Sequence, residues 1–443
     1  MHRKQRVEEI IRRLGKRKLM WMGLRGADAR VLLQIPQLSS IFSITAPLED
    51  SDSVSEVCLE TLKKRRPDLH TYDPDLDSSP EATEMHRLMS IAIEEPTVVL
   101  PFRPNNFFTS AYFPHSDVVE YLGLFHLRQA AFEHKPWVET ELSKLGVRTI
   151  PWRYYGLYNF PPLADLLRQG PLIVRSCHSE GGAGLMLVRE PGNIDIKRQY
   201  SQEHFVAVTP YLEPNIPINV NACVFQDGTV SLHAPSLQLI GISSCTNYSL
   251  GFCGNDFGQI RSFDEDVLDE FEVMSVEVGK WLASLGYIGA FGIDAILYDG
   301  HVYLTEINPR FQNSSVISAE IDKELERPDM YLNHMAAFFG MGTPPFVPLK
   351  ELAKCQHDIS QIICYNRCHQ PVHHSNATIP AHCDLQCALL PASDVAVLPE
   401  GMLFRAIAKG SVTTDGHTIK QEYEAQIEDF TTHLFSSPDG RTS

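Results

Sequence analysis

Residues 290–312 contain the pattern that limits the possible folds of this chain most strongly. Two apolar, β-rich runs, Ala290–Tyr298 and Val302–Ile307, flank the dipeptide Asp299-Gly300. Asp-Gly between two such runs is a strong signal for a tight turn between antiparallel strands. The sequence therefore predicts a β-hairpin here, and the hairpin carries more charge than its turn requires.

Polar residues of the second strand fall on one face of this hairpin. Because side chains alternate along a strand, Glu306, Asn308 and Arg310 lie on the same side. The length of the turn decides whether Asp294 joins them. A two-residue turn puts positions 294 and 306 on opposite faces, whereas a three-residue loop over 299–301, or a bulge, sets Asp294 across from Glu306.

Two facing carboxylates repel each other, so the second arrangement needs a cation between them. Oxygen ligands from Asp294, Glu306 and Asn308 suit Mg²⁺, which usually also takes phosphate oxygens. The alternative from the hairpin alone is a surface element whose charges face water. A metal site therefore predicts the three-residue or bulged connection, and a plain two-residue turn would count against it.

Composition excludes several classes of function. The chain has 443 residues, enough for two or three domains, and its 43% hydrophobic and 21% charged content is typical of soluble globular proteins. The net charge of −17 argues against a nucleic-acid binder or a protein held on anionic lipid. No apolar run is long enough to span a membrane, and the basic N-terminal stretch lacks a signal peptide's apolar core. We expect a cytoplasmic protein whose ten cysteines are mostly reduced thiols.

The N-terminal part alternates strand and helix patterns. We expect strands at 18–23, 41–48 and 97–102, with helical stretches that include 54–65 and 80–94. This alternation predicts a small parallel α/β domain.

Two later stretches carry cations and glycines. Lys135 precedes Pro136, so it should stand at the mouth of a helix that ends near Gly146. Further on, Arg175 ends a strand beside a loop that contains Gly181, Gly182 and Gly184. Glycines at this density let backbone N–H groups converge on a phosphate, although no Walker-type Gly-Lys-Ser/Thr follows. A solvated lysine and an ordinary flexible hairpin tip are the alternatives for each stretch alone.

The C-terminal part has a cluster of Cys and His residues between positions 364 and 387. Two Cys-x₃-Cys pairs occur there, with four histidines between them. Structural zinc sites more often use two-residue spacing, and such loose clusters arise in cores by chance. We therefore favour a core explanation over a metal site for this region.

Taken in order, these motifs resemble the ATP-grasp superfamily of carboxylate-activating ligases. The matching features are Lys135 with its helix, Arg175 with the glycine flap, the strand Val208–Glu213, and the acidic pair with the Asn308-Pro309-Arg310 ending. The resemblance covers roughly residues 123–320. It departs from the family at Arg175, usually lysine, and at Asp294, usually glutamate, yet both replacements can keep the roles of phosphate and Mg²⁺ binding.

The resemblance implies an α/β (α+β) ATP-grasp fold with a Rossmann-like front domain and a C-terminal lid-like region. The implied domains are residues 1–122, 123–345 and 346–443. The implied cofactors are ATP and Mg²⁺, and Arg310 would stabilise the transferring phosphoryl group and the oxyanion. The implied metal ligands are Asp294, Glu306 and Asn308, and the implied nucleotide-binding residues are Lys135, Arg175, Ser179, Gly181, Gly182, Gly184, Thr209, Tyr211 and Leu212.

Two stretches, Met20–Asp28 and Phe42–Leu48, look like the front domain of natural-product amide ligases, such as pheganomycin-type peptide ligases and the butirosin-type glutamyl ligase. The resemblance implies a ligase that joins a carboxylate to an amine, on amino-acid, peptide or carrier-bound substrates, through an acyl phosphate. It also implies small-molecule partners, an acyl carrier protein for some members, and often a homodimer. A nucleotide-binding scaffold without activity and a bicarbonate-activating carboxylase are the alternatives.

Overall fold

A computed structural model describes residues 2–49, 53–177, 181–192, 194–354, 358–375, 377 and 383–436. Four β-sheets organise this part of the chain. None of its helices is both long and apolar enough to cross a membrane.

The front sheet has five parallel strands, as the alternating pattern predicts. Its central strand, Lys18–Arg25, is almost entirely buried because Met20, Trp21 and Met22 face helices on both sides. In spatial order the strands are Ser55–Cys58, Leu38–Thr45, Lys18–Arg25, Thr97–Pro101 and Val119–Tyr121. The helices of this region are Arg3–Leu14, Leu59–Lys63, Pro80–Ala92 and Asn106–Ser110, with 3₁₀ turns at Gly26–Leu32, Pro74–Leu76 and Phe113–His115.

One expectation for this region is wrong. The stretch 54–65 is not a helix throughout, since Ser55–Cys58 forms the edge strand of the front sheet and only Leu59–Lys63 is helical. Parallel pairing with Leu38–Thr45 overrides the local helical pattern.

The small sheet has four antiparallel strands and carries the glycine flap. In order these are Arg153–Gly156, Phe205–Pro210, Leu172–Arg175 and Leu185–Val188. The helices near it are His126–Phe132, Lys135–Lys144, Leu163–Leu166 and Ile196–Gln199, with 3₁₀ turns at Leu157–Asn159 and Leu167–Gln169.

The large sheet contains the hairpin predicted from the sequence. The helix Glu265–Ser284 packs Phe271, Val278 and Leu282 against the inner face of this sheet, where Phe291 and Ile293 are fully buried. In order the strands are His301–Asn308, Gly289–Tyr298, Ile216–Val224, Ser236–Ile240, Phe252–Asp256, Ile359–Tyr365, Met402–Lys409 and Leu385–Ala388, and Val230–Leu232 pairs with Ile216–Val224. The remaining helices are Ser315–Glu324, Met330–Phe338, Leu349–Lys354 and Gln421–Leu434, with a 3₁₀ turn at Gln259–Ser262.

Three strands of the C-terminal region, Ile359–Tyr365, Met402–Lys409 and Leu385–Ala388, continue the large sheet. A fourth sheet joins the front region to the C-terminal region, because Arg65–Arg66 pairs with Ala396–Val397. Its other strands are Val372–His374 and Phe435–Ser436. The division at 122/123 and 345/346 stays a prediction, and the regions on either side of it are tightly joined.

Candidate active site

The hairpin turn has two residues, so a three-residue loop over 299–301 is wrong. Tyr298 pairs with His301, and both Asp299 and Gly300 adopt the left-handed conformation, with φ of 49° and 74°. Positive φ at both central positions is the geometry that an Asp-Gly turn favours, because it matches the twist of the strands. On its own this turn would have separated Asp294 from Glu306.

A β-bulge restores the pairing of the two acids. The ladder runs regularly from the turn to Ala295 and Leu304 and then shifts, so that Asp294 pairs with Glu306 and Thr305 is an extra residue. The bulge turns Glu306 and Asn308 onto the face that carries Asp294, as the bulged alternative requires. Bulges are frequent beside active sites because they redirect side chains in this way.

Amide groups surround the Asp294 carboxylate. Its oxygens accept hydrogen bonds from Asn219 Nδ2 at 2.6 Å, Asn308 Nδ2 at 2.9 Å and Gln312 Nε2 at 3.2 Å. Burial, and after it the nearby charge of Glu306, raises the pKa of Asp294 to about 6. A buried carboxylate that faces a second acid gains most from a cation between them.

The residues around this acid pair fit a magnesium ion. Asn308 donates its amide N–H to Asp294, which leaves its carbonyl oxygen available beside the two carboxylates. In the described part of the chain no three His, Cys, Asp or Glu side chains come together as a metal cluster. A set of two carboxylates and one amide oxygen is typical for Mg²⁺, which completes its shell with water and phosphate.

Lys135 lies at the acidic end of the site. It is the first residue of the helix Lys135–Lys144, followed by Pro136 and preceded by His134, whose Nδ1 accepts a bond from the Trp137 amide. The helix mouth expected from the proline is therefore present. The Lys135 side chain is only 8% exposed, and its Nζ donates a hydrogen bond to Glu306 Oε1 at 2.7 Å.

Arg175 is held by a residue that sequence reasoning missed. Its two terminal nitrogens donate to Glu139 at 2.7 and 2.9 Å, and its guanidinium lies 4.1 Å from the ring centre of Trp152. The Tyr154 hydroxyl donates to the same carboxylate at 2.7 Å. Glu139 follows Lys135 by four positions on one helix, so the i, i+4 spacing was the available signal that both point to one side.

The glycine flap is folded against a neighbouring loop. Gly181, Gly182 and Gly184 all have positive φ, at 57°, 93° and 81°. A Cβ on Gly182 would lie 2.4 Å from the carbonyl oxygen of Leu250, so this close approach requires glycine. Ser179 lies outside the described residues.

Three buried polar atoms beside the flap have no partner within the described part of the chain. These are Arg175 Nε, Trp152 Nε1 and the Thr209 hydroxyl. Unpaired buried donors are costly in a folded protein and call for a ligand or water. Nearby, the Tyr211 amide donates to the Pro171 carbonyl at 2.8 Å, and the Leu212 carbonyl accepts a bond from Asn215.

A single cavity of about 260 Å³ brings most of these residues together. Among the residues assigned from the sequence, Gly184 is absent from its lining. Arg310 lies in the wall beside Phe102, 5.9 Å from the ring centre. The other assigned residues that line the cavity are Lys135, Arg175, Gly181, Gly182, Thr209, Tyr211, Leu212, Asp294, Glu306 and Asn308.

The Cys/His cluster of the C-terminal region lies in a separate core. Cys364 is buried against Cys245, with 3.8 Å between the sulfur atoms, and Cys368, Cys383 and Cys387 pack at its edge. His382 lies outside the described residues. The described cysteines are free thiols.

No family model matches the chain, and a search of curated proteins finds no match either. Solved structures do match over nearly the whole length. A biotin carboxylase from Campylobacter jejuni in a β-γ-ATP complex superposes with a TM-score of 0.59 at 15% identity, covering 90% of this chain and 89% of that one. The N5-carboxyaminoimidazole synthetase of Staphylococcus aureus with ADP gives 0.56 at 11% identity, covering 93% and 98%.

A third similar structure is the biotin carboxylase domain of the Hydrogenobacter thermophilus 2-oxoglutarate carboxylase, solved with MgADP, ADP and bicarbonate. Its TM-score is 0.60 at 14% identity, and the match covers 89% of this chain and 86% of that one. At 11–15% identity these matches bear on the fold alone. The expected α/β ATP-grasp fold is thereby confirmed.

Proposed function

We propose that this protein is an ATP-dependent ligase that phosphorylates a carboxylate and then joins it to an amine. The observation that carries the proposal is the pairing of Asp294 with Glu306 at one end of a cavity whose walls hold Lys135 and Arg175. The likeness to solved structures with bound ATP or ADP supports it. In this reaction the terminal phosphoryl group of ATP passes to the carboxylate oxygen, the amine displaces phosphate, and ADP leaves.

The acid pair is the proposed metal end of the site. Asp294, Glu306 and Asn308 would hold Mg²⁺, which when bound neutralises phosphate charge and orients the phosphoryl group. Lys135 contacts Glu306 and would contribute a second positive charge to the same phosphates. Arg310 stands in the wall where charge would develop on the transferred group and later on the oxyanion.

The small sheet is the proposed nucleotide end. Glu139 accepts one N–H from each terminal nitrogen of Arg175, and Nε, which is buried without a partner in the described part of the chain, would donate to a phosphate oxygen. The backbone of Gly181, Gly182 and Gly184, with Ser179, would close over the phosphates and exclude water from the reactive intermediate. Thr209, Tyr211 and Leu212 would contact the adenine.

A carboxylase that activates bicarbonate is the second candidate. Its specific support is the solved neighbours, among them biotin carboxylases and N5-carboxyaminoimidazole synthetases. Both candidates use the same metal and phosphate groups and differ in the acid that receives the phosphate. The ligase proposal has three further parts. The substrates would be amino acids, peptides or carrier-bound acids in natural-product biosynthesis. The protein would form a homodimer and would be located in the cytoplasm.

Release of ADP with different acids separates the two candidates. Purified protein is supplied with MgATP, hydroxylamine as a general amine, and either bicarbonate or amino acids, short peptides and simple organic acids. We expect Mg²⁺-dependent ADP release with an organic acid, together with the hydroxamate detected by mass spectrometry. ADP release with bicarbonate alone would favour the carboxylase, and nucleotide binding without release under any condition would contradict both.

A further inference from the structure

One part of the cavity, called here the distal end, is lined by residues that have no assigned nucleotide or metal role, although His70 in it lies against Gly181 of the flap. Residues of the front sheet region and of the two strands Ile359–Tyr365 and Met402–Lys409 form this distal end. In open α/β sheets, ligands bind outside the carboxyl ends of the strands. The lining residues that matter for the argument are Arg25, Leu69, His70, Tyr365 and Met402.

Arg25 is built into this distal end. It closes the central strand of the front sheet at its carboxyl end, and only 4% of its surface is exposed. Its Nε and Nη2 donate to the two oxygens of Asp28 at 3.2 and 2.7 Å, and its Nη1 donates to the side-chain oxygen of Asn313. A guanidinium has five N–H bonds, so two of them remain for a ligand.

The charge around Arg25 favours an anion. Arg405 is also buried, and Asp28, which is fully buried, is the carboxylate that compensates the two guanidiniums. Burial lowers the pKa of Arg405, and the charge of Arg25 lowers it further, whereas Asp28 acts in the opposite direction. Glu320, which is exposed, also raises the pKa of Arg405 and so compensates part of this charge. Asp28 is the fully buried acid beside the two guanidiniums, and the two N–H bonds that Arg25 keeps are available to an anion.

Arg25 is close to the reacting end. The guanidinium of Arg25 lies 5.8 Å from the centre of the Phe102 ring, and that of Arg310 lies 5.9 Å from the same centre. Asn313, which accepts the bond from Arg25, follows the metal-site residue Asn308 by five positions. The shared contact with Phe102 therefore keeps the two guanidiniums at most about 12 Å apart.

The rest of the distal wall suits an organic body. Leu69 and Met402 are apolar, and the Tyr365 ring lies 5.3 Å from the His70 ring. In the described part of the chain, Asp294 and Glu306 are the acids of the whole cavity lining. An apolar and aromatic wall favours a ligand with apolar surface to bury, and bicarbonate has none.

We propose that Arg25 anchors the acyl substrate, and that this substrate is an organic acid with an apolar or aromatic body. The inference rests on the proposed ligase function and names its substrate class. The carboxylate lies between Arg25 and Arg310, and the body extends toward Leu69, Tyr365 and Met402.

The test compares variants of the full chain with benzoate, 3-phenylpropanoate, L-phenylalanine, acetate and bicarbonate, with hydroxylamine as the amine. For the best organic acid we expect Arg25→Gln to raise KM at least 30-fold, while the Kd for MgADP stays within twofold. Arg25→Lys keeps the positive charge but loses the planar guanidinium, so its KM should lie between the values for the wild type and for Arg25→Gln. The matched control is Arg30→Gln, an exposed arginine five positions along, which should behave as the wild type.

Arg25→Gln leaves Asp28 unpaired, so two further variants protect the test against misfolding. The double variant Arg25→Gln with Asp28→Asn replaces the ion pair with amides and should show the same rise in KM. Leu69→Trp narrows the distal end and should raise the KM for 3-phenylpropanoate more than the KM for acetate. Equal effects on both acids, or an unchanged KM in an Arg25 variant that binds MgADP normally, would overturn the inference.

The two proposals fail in different ways. An organic acid that is turned over equally well by wild type and Arg25→Gln overturns the role of Arg25 alone. Turnover with bicarbonate and with none of the organic acids overturns the ligase proposal and the substrate class with it.

Discussion

Lys135 donates a hydrogen bond from Nζ to Glu306 over 2.7 Å, although the two residues are 171 positions apart in sequence. Lys135 therefore places a positive charge against Glu306, and this charge offsets the repulsion between Glu306 and Asp294. The same geometry places a lysine charge next to the proposed site of phosphate transfer. Because Lys135 and Glu306 are in contact, each has to be tested with a substitution that preserves the shape of its side chain.

Glu306→Gln keeps the shape of the side chain and removes the charge that would hold Mg²⁺. We expect Mg²⁺-dependent ADP release to fall at least 100-fold, with an unchanged circular dichroism spectrum. Glu270→Gln is the control, because Glu270 pairs with Arg148 outside the cavity. Activity near the wild-type level in Glu306→Gln would contradict the metal assignment.

Glu139→Gln tests whether Arg175 needs its clamp. The amide cannot accept two charge-assisted bonds, so the guanidinium should lose its fixed orientation. We expect KM for ATP to rise about tenfold, as a lost charged hydrogen bond of ~1.5 kcal/mol implies, with a smaller change in kcat. Tyr154→Phe removes one neutral donor from the same carboxylate and should change KM less than threefold. A larger effect of Tyr154→Phe than of Glu139→Gln would refute the clamp.

Gly182→Ala tests the seating of the flap. Its methyl group would lie 2.4 Å from the Leu250 carbonyl oxygen, on a backbone with φ of 93°. We expect weaker ATP binding and a larger share of ADP released without product, because water reaches the intermediate. Gly146→Ala provides the strain control, since Gly146 has φ of 84° and open space around its Cβ position. Equal product yields per ADP in Gly182→Ala and wild type would contradict a closing flap.

His334 makes the stability of the fold depend on pH. Its Nδ1 accepts a bond from the Ala290 amide at 2.9 Å, and its Nε2 donates to the Leu122 carbonyl at 2.8 Å, so the ring must stay neutral. Burial lowers the pKa of His334 to about 4. The unfolded chain takes up this proton at about pH 6.5, so stability is complete above that pH and declines toward pH 4.

The expected loss from this residue is about 2 kcal/mol between pH 8 and pH 5. Urea unfolding at both pH values measures it, and His334→Gln should remove most of the difference. His301→Gln, at the exposed hairpin turn, is the matched control and should leave the pH dependence as in the wild type. An identical pH dependence in His334→Gln and wild type would refute the assignment.

Local patterns were sufficient for the elements that carry the site. The Asp299-Gly300 turn, the proline after Lys135 and the glycines of the flap each act through backbone geometry within a few residues. Their positions in the structure agree with the sequence prediction for that reason. The parallel front sheet follows from the same kind of local alternation.

Contacts between distant segments were beyond this reasoning. Sequence reasoning allowed for a bulge but could not locate it, because no glycine marks Thr305. The bulge depends on the partner strand and on backbone hydrogen bonds between Leu304 and residues 148 and 150. The segment 54–65 follows its partner strand instead of its own pattern. The contact between Glu139 and Arg175 could be predicted only in part. The i, i+4 spacing places Glu139 beside Lys135, but no local signal places Arg175 beside Glu139.

The bond from Arg25 to Asn313 joins two residues that are 288 positions apart. One belongs to the front sheet and the other to the segment that follows the paired acids, so the wall of the distal end is assembled from separate stretches of the chain. If Arg25 has the proposed role, substitutions in the front stretch should alter which acid is accepted while the proposed phosphate-binding groups stay as they are. The front segment is then the part of the chain to exchange when a different acid preference is to be engineered.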